Sequence, residues 1–190
     1  MRIIAGKYRG RKLKSPTSLE TRPTSDRLRE TLFNILAPRI EGARFLDLCA
    51  GTGAVGIEAL SREAAQVTFV DQSQKTCGLI EENLKTLMAD DQRTEVVLAE
   101  VTKFLRRQVE KGARPFDLVY FDPPYAADYE AVLNYAGQHT ASLFSDGGLM
   151  IVEHQKKRDL SDEFGALERY RVLKQGDSVL SFYRNLQQGV

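Results

Sequence analysis

The sequence predicts an α/β fold in which seven strands form a mostly parallel sheet covered by helices, with an antiparallel hairpin strand at the carboxyl end and a basic extension in front. Three observations predict it. From Arg44 onward, short apolar runs alternate with amphipathic stretches, as parallel strands buried on both faces require. A glycine-rich turn, Gly51-Thr52-Gly53-Ala54-Val55-Gly56, stands where the first run meets the first amphipathic stretch. The last two runs flank Gln175-Gly176-Asp177-Ser178, a turn that brings neighbouring strands together antiparallel.

At 190 residues the chain fits one main core. Its front is basic: Arg2, Lys7, Arg9, Arg11, Lys12 and Lys14 all precede the first acid, Glu20. Within 3–13, Gly6 and Gly10 punctuate a segment in which Ile3, Tyr8 and Leu13 stand among the cations, so a small hairpin or ordered arm is predicted. Such an arm attracts a phosphate backbone by releasing condensed counterions, although a solvated surface hairpin would carry the same charges. The run Thr21-Arg22-Pro23-Thr24-Ser25-Asp26 offers a hydroxyl cap and an acid for a helix start. Leu28, Leu32, Phe33, Ile35 and Leu36 then give that helix an apolar face, with Arg22, Arg27 and Arg29 near its exposed start and Pro38 ending it. Residues 1–40 thus read as a basic arm with a docking helix, and 41–190 as the main domain.

Within that domain, strands are predicted over 45–50, 66–71, 95–99, 116–121, 148–153, 170–174 and 179–183. Helices are predicted over 54–62, 74–89, 104–111 and 129–143. A hydrophobic fraction of 42% and a charged fraction of 28% are those of an ordinary soluble domain. No apolar run approaches the roughly 18 to 20 residues that span a bilayer, and the start lacks the apolar segment of a secretory signal, so a cytoplasmic protein without membrane contact is expected. Cys49 and Cys77 then read as buried thiols rather than a disulfide framework. His139 and His154 lie apart from each other and from both cysteines, which leaves no metal-ligand spacing and an expectation of no metal.

The glycine turn is a literal G-x-G-x-x-G at a strand-to-helix junction, and its Gly51, Thr52 and Gly53 would let a ligand approach the backbone closely. Asp71, twenty residues after Gly51, ends the next strand, where its carboxylate could accept from both ribose hydroxyls. The motif alone does not separate a dinucleotide from S-adenosylmethionine. Asp47 favours the latter: an acid at the carboxyl end of the first strand suits a cationic amino group and would repel a pyrophosphate. Between Asp47 and Gly56 there is no Lys or Arg, as expected for a ligand that is not strongly anionic. Asp47 could instead simply cap the loop backbone.

A second motif, Asp122-Pro123-Pro124-Tyr125, follows the fourth strand, and open parallel sheets bind ligands beyond the carboxyl ends of their strands. An exocyclic amine on a base is a poor nucleophile because its lone pair is delocalised into the ring. If the Asp122 carboxylate and the Pro123 carbonyl both accept from it, the lone pair is held out of the ring plane and charge developing on nitrogen is stabilised. Consecutive prolines stiffen the loop, and Tyr125 can stack on an extracted base. A rigid turn with a core tyrosine is the plain alternative.

At this point the sequence resembles the RsmD family of small-subunit (16S) ribosomal RNA guanine-N2 methyltransferases, over nearly the whole chain. Four blocks carry the resemblance: Arg2 through Leu13; Thr21 through Asn34; Asp47 to Gly56 with Glu58-Ala59-Leu60-Ser61-Arg62; and Asp122 to Tyr125. The last two are common among methyltransferases and the first two are more specific. The resemblance implies a Rossmann-like class I methyltransferase domain that uses S-adenosylmethionine, a clamp at Asp122 and Pro123, and a front segment engaging ribosomal RNA in the small subunit or its precursor. It also implies that Glu100 and Val101 stand where related enzymes contact adenine. Cys49, Thr52, Asp71 and Glu63 depart from the usual family residues, Glu63 by interrupting an Arg-Gly pair.

The leading expectation is therefore methyl transfer to guanine N2. Its cofactor-binding residues would be Asp47, Gly51, Thr52, Gly53, Asp71, Glu100 and Val101, its catalytic residues Asp122, Pro123 and Tyr125, and its nucleic-acid contacts Arg2, Lys7, Arg9, Arg11, Lys12, Arg22 and Arg27. DNA adenine or other amine methylation is the second reading, since D-P-P-Y also serves such amines. An NAD-dependent oxidoreductase or a non-catalytic RNA-binding module are further ones.

Overall fold

The computed structural model describes residues 1–15, 25–87, 92–124 and 126–186, which divide into two compact units, 1–99 and 100–190. Arg22 and Tyr125 lie outside the described residues.

In the first unit, helix α1 (Asp26–Ile40) starts where expected, with the Ser25 hydroxyl accepting from Leu28 N at 3.2 Å. It buries Leu28, Leu32, Phe33, Leu36 and Ile40. The helix continues past Pro38 rather than ending there: a proline in the last turn removes only its own N–H bond, and the extra residues bring Ile40 into the core. Strands β1 (Arg44–Leu48), β2 (Gln66–Asp71) and β3 (Thr94–Leu98) are parallel in the order β3-β2-β1. Helices α2 (Ala54–Ser61) and α3 (Gln74–Leu87) make the crossovers. Strand β1 is shorter than predicted because Cys49 adopts φ +60, a left-handed conformation that turns the chain out of the strand. Cys77 is buried as expected, whereas Cys49, at that turn, is only half-buried. Of the three motif glycines, Gly56 has no unusual φ. It packs: a Cβ there would lie 2.3 Å from the Phe69 ring, so its absence lets α2 close on β2. Glu63 has φ +70, a conformation suited to the glycine that the family pattern places there.

The front segment is pinned to α2. An Arg2↔Lys12 bridge closes it into a hairpin, while Ile3, Tyr8 and Leu13 are buried. The buried Glu58 carboxylate of α2 accepts from Ile4 N at 2.8 Å and Ala5 N at 3.0 Å, and Lys7 N and Tyr8 N donate to the Ser61 carbonyl and hydroxyl at 2.8 and 2.9 Å. Gly6 has φ +78, and a Cβ there would fall 1.8 Å from the Ser61 carbonyl oxygen, so glycine alone fits. Arg29 corrects the expectation of an exposed charge. Its side chain is wholly buried, donating to Arg2 O and Asp26 and lying 3.8 Å from Glu58, which Arg62 also meets at 2.9 Å. A carboxylate buried among apolar side chains requires such counter-charges, and this explains why Arg29 turns inward.

In the second unit, helix α4 (Val101–Glu110) begins three residues earlier than predicted because Glu100 caps it. Strand β4 (Phe116–Phe121) is parallel to β5 (Phe144–Gln155), between which lie α5 (Tyr129–Gln138) and α6 (Thr140–Leu143). The predicted helix over 129–143 divides at His139. Strands β6 (Glu163–Phe164), β7 (Leu167–Gln175) and β8 (Ser178–Asn185) follow, in the order β4-β5-β8-β7-β6 with β8 antiparallel to both neighbours. The seven predicted strands are present together with the two-residue β6, which periodicity cannot reveal in so short a segment. No helix among the described residues is long and apolar enough to cross a membrane.

Candidate active site

The glycine turn of the first unit is built around two acids. Gly51 and Gly53 have φ +56 and +75, so both need the left-handed freedom of glycine. Gly53 is the N-cap of α2 and brings no side chain to satisfy the helix start, and Asp47 supplies the acceptor: its Oδ2 receives the Gly56 N–H at 2.8 Å. Burial pushes the Asp47 carboxyl up to about 8, with the Gly56 hydrogen bond opposing this and the charge of Asp71 adding to it. The capping role weighed for Asp47 is thus realised, and a buried acid under this strain gains most from a cation beside it. Asp71, at the end of β2, takes the Gly51 N–H on Oδ2 at 3.1 Å and the Ser73 N–H on Oδ1 at 2.9 Å. Each of its oxygens keeps a second lone pair, as two ribose hydroxyls would need. These residues fit an adenosyl ligand bearing a cationic amino group.

Thr52 is fixed from the side. Its carbonyl accepts from Asn83 Nδ2 at 3.1 Å, and the same amide exchanges hydrogen bonds with the backbone of Lys14, accepting at 2.8 Å and donating at 3.2 Å. Asn83 therefore couples the front hairpin to the glycine turn. The sequence reading missed it, although a polar residue on the inward face of α3, between Ile80 and Leu87, was a signal.

In the second unit, β4 delivers Asp122, half-buried, and Pro123, buried. The Pro123 carbonyl accepts from the Tyr129 hydroxyl at 3.2 Å. Tyr129 is buried, stands 5.8 Å from the Phe121 ring, and has the Arg158 guanidinium 4.2 Å over its own ring. The Pro124 carbonyl takes the Ala127 N–H at 2.8 Å, which closes the loop. Glu100 caps its helix: Oε1 accepts from Thr102 N at 2.9 Å and Oε2 from Lys103 N at 3.1 Å. Burial pushes its carboxyl up, but these bonds, one from the Thr102 hydroxyl and the Lys103 charge outweigh that and leave it below the usual range. Val101 is buried as the first residue of α4.

The basic residues separate into groups. Arg2, Arg9 and Arg27 line one cavity of about 430 Å³ together with Ile3, Ile4, Gly10, Asp26 and Glu30. Lys7 and Arg11 instead lie over the Tyr8 ring, at 5.6 and 5.8 Å, and Arg11 also donates to Leu87 O at 3.0 Å. Lys12 is exposed at the bridge.

Parallel strands with helical crossovers, a glycine turn after β1 and an acid ending β2 define a Rossmann-like nucleotide-binding fold, and the buried Asp47 under the turn, the antiparallel β8 and the solved relatives make it a class I methyltransferase. A family model described as conserved hypothetical protein 95 matches residues 1–184, and the chain belongs to that family, the RsmD methyltransferases. The chain is 37% identical over 190 residues to "Ribosomal RNA small subunit methyltransferase D" of Escherichia coli K12, covering 100% of this chain and 92% of the relative. It is 35% identical over 192 residues to the protein of that name in Haemophilus influenzae, covering 98% and 93%. A solved Escherichia coli structure superposes with a TM-score of 0.85 at 34% identity, covering 99% of each chain. A methyltransferase fold solved with SAH matches with a TM-score of 0.64 at 16% identity, over 82% of this chain and 49% of that one.

Proposed function

We propose that this protein transfers a methyl group from S-adenosylmethionine to the exocyclic N2 amine of a guanine in small-subunit ribosomal RNA, in the cytoplasm, with the subunit or its precursor as substrate. The observation that carries the reading is the pair of acids in the glycine turn, Asp47 buried and Asp71 with two lone pairs to offer, in a chain of the RsmD family that also bears Asp122-Pro123-Pro124-Tyr125. The names of the relatives support the substrate.

Asp47, Gly51, Thr52, Gly53 and Asp71 would hold the cofactor, with Glu100 and Val101 at the adenine. When bound, S-adenosylmethionine supplies a methyl group on a positively charged sulfur, activated toward a nucleophile. Asp122 accepts one N–H of the guanine amine and the Pro123 carbonyl accepts the other, which directs the nitrogen lone pair out of the ring plane. A carbonyl has two lone pairs, so Pro123 can serve the amine while it is held by Tyr129. Tyr125 stacks on the base. Residues 1–40, with Arg2, Lys7, Arg9, Arg11, Lys12, Arg22 and Arg27, contact the RNA backbone, and 41–190 form the methyl-transfer domain.

The test is methyl-label transfer to naked small-subunit ribosomal RNA and to isolated small subunits, followed by mapping of the labelled base. Label on guanine N2 is expected. Label on adenine, on DNA or on protein would overturn the reading.

A further inference from the structure

A cluster on the β7–β8 hairpin is used by none of this chemistry. The register of β7 against β8 shifts between Arg169, opposite Tyr183, and Arg171, opposite Phe182, so Tyr170 is the extra residue of a β-bulge. A regular strand sends consecutive side chains to opposite faces, whereas a bulge can re-aim one of them. Here Tyr170 and Arg171 both reach Phe182. The Tyr170 ring stands edge-on to it at 6.3 Å, and the Arg171 guanidinium lies 5.8 Å from its centroid. On the same face the Arg184 guanidinium lies 5.9 Å over the Tyr170 ring, held by Glu168 at 2.7 Å. Phe182 is fully buried while Tyr170 is 42% exposed, so the tyrosine rests on a rigid floor and still presents ring surface.

We propose that this face is a second RNA contact, on which Tyr170 stacks an unpaired base while Arg171 and Arg184 meet the flanking phosphates. Charge selects the occupant: over 167–185, four cations, Arg169, Arg171, Lys174 and Arg184, stand against two acids, Glu168 and Asp177, and with Arg169 paired to Asp162 and Arg184 to Glu168 the excess is carried by Arg171 and Lys174. Among the described residues Arg171 forms no ion pair within 4.0 Å. An exposed aromatic between guanidinium groups is the arrangement that holds single-stranded nucleic acid, where every base offers a π-face. A protein-binding core would instead be depleted of charge around its anchor. The inference rests on the reading of the substrate as RNA, and it extends that substrate beyond the modified nucleotide.

The experiment compares wild type, Tyr170→Ala, Tyr170→Phe and Arg171→Ala, each checked for an unchanged melting temperature. Binding to naked small-subunit ribosomal RNA and to isolated small subunits is titrated at several salt concentrations, alongside methyl transfer to each. Tyr170→Ala should raise Kd and KM for RNA about tenfold, leaving kcat and S-adenosylmethionine affinity unchanged, and Tyr170→Phe should stay within about twofold of wild type. Arg171→Ala should weaken binding a few-fold and reduce the salt slope by about one. Unchanged RNA affinity in Tyr170→Ala overturns the proposal. So does a defect seen on assembled subunits but not on naked RNA, which would assign the face to a ribosomal protein. A wild-type enzyme that methylates neither naked small-subunit ribosomal RNA nor isolated small subunits would instead defeat the substrate reading itself, an outcome visible before any variant is made.

Discussion

The glycine turn and the Asp122-Pro123 loop both carry acids at strand ends, yet they are held in different ways. In the turn, the acids proposed to meet the cofactor are also the supports: Asp47 caps Gly56, and Asp71 ties down Gly51 and Ser73. In the loop, Tyr129 supports the Pro123 carbonyl from the next helix and Phe121 braces that tyrosine, so the carbonyl proposed to meet the amine is held by a separate residue. Substitution in the turn should therefore mix ligand affinity with stability, whereas substitution in the loop should remove chemistry and leave cofactor affinity in place. Asp122→Ala is the largest test. Methyl transfer should fall about 10²- to 10³-fold, the scale of losing one preorganised acceptor, with S-adenosylmethionine affinity unchanged. A matching loss of cofactor affinity, measured by calorimetry, would break the distinction.

Asp47→Asn probes the opposite case. The wild-type carboxyl titrates near 8 in the folded chain against 3.8 when unperturbed, so the native state holds the extra proton between those values. Its contribution to stability is fully present below about pH 4, declines as pH rises and is gone above about pH 8. The asparagine can still accept from Gly56 but has no charge to bury, so this slope should vanish from melting temperatures recorded between pH 5 and pH 9. In wild type, S-adenosylmethionine affinity should rise with pH up to about 8, because the cationic amino group favours the ionised acid. The variant should lose that dependence together with about 10- to 100-fold of affinity, a charge-assisted hydrogen bond being worth about 1.5–3 kcal/mol. Retained affinity with a flat pH profile would leave Asp47 as a backbone cap only.

The same distinction explains what was legible in the sequence. Strand periodicity, the glycine turn with Asp71 and the D-P-P-Y motif are local patterns, and the seven strands, the strand-to-helix glycine turn and the family followed from them. What escaped depends on partners distant in the chain. Glu58 sits in an apolar helix and collects Ile4, Ala5, Arg29 and Arg62, so Arg29 became buried where helix periodicity placed it outside. Asn83 meets Thr52 and Lys14, 31 and 69 residues away, and no spacing rule encodes such a contact. Tyr129 is only six residues from Pro123, but nothing in the sequence said that its hydroxyl would turn back to the carbonyl. Strand ends moved where single residues took unusual conformations, as at Cys49.

Tyr129→Phe sharpens the description of the loop. The ring against Phe121 and under Arg158 is kept and one hydrogen bond is lost, so the fold should be unaffected while the Pro123 carbonyl gains freedom. A net hydrogen bond of about 1 kcal/mol corresponds to about a fivefold fall in kcat, with KM for RNA and cofactor affinity unchanged. If kcat holds and only the melting temperature drops, Tyr129 is a structural post with no bearing on the carbonyl's role.

The smallest effects should separate two arginines of the front hairpin by the same criterion. Arg9 opens onto the cavity shared with Arg2 and Arg27, whereas Arg11 lies over Tyr8 and donates to the carbonyl of Leu87. Arg9→Ala should weaken RNA binding about two- to threefold and reduce the salt slope by about one, at constant melting temperature. Arg11→Ala should weaken RNA binding no more than that but lower the melting temperature as well, because the Leu87 carbonyl loses its donor and the Tyr8 ring its cover. Salt titrations paired with thermal melts read both quantities. Equal melting temperatures for the two variants would mean that Arg11, like Arg9, is free to serve the RNA, and that merging of support with binding is confined to the glycine turn.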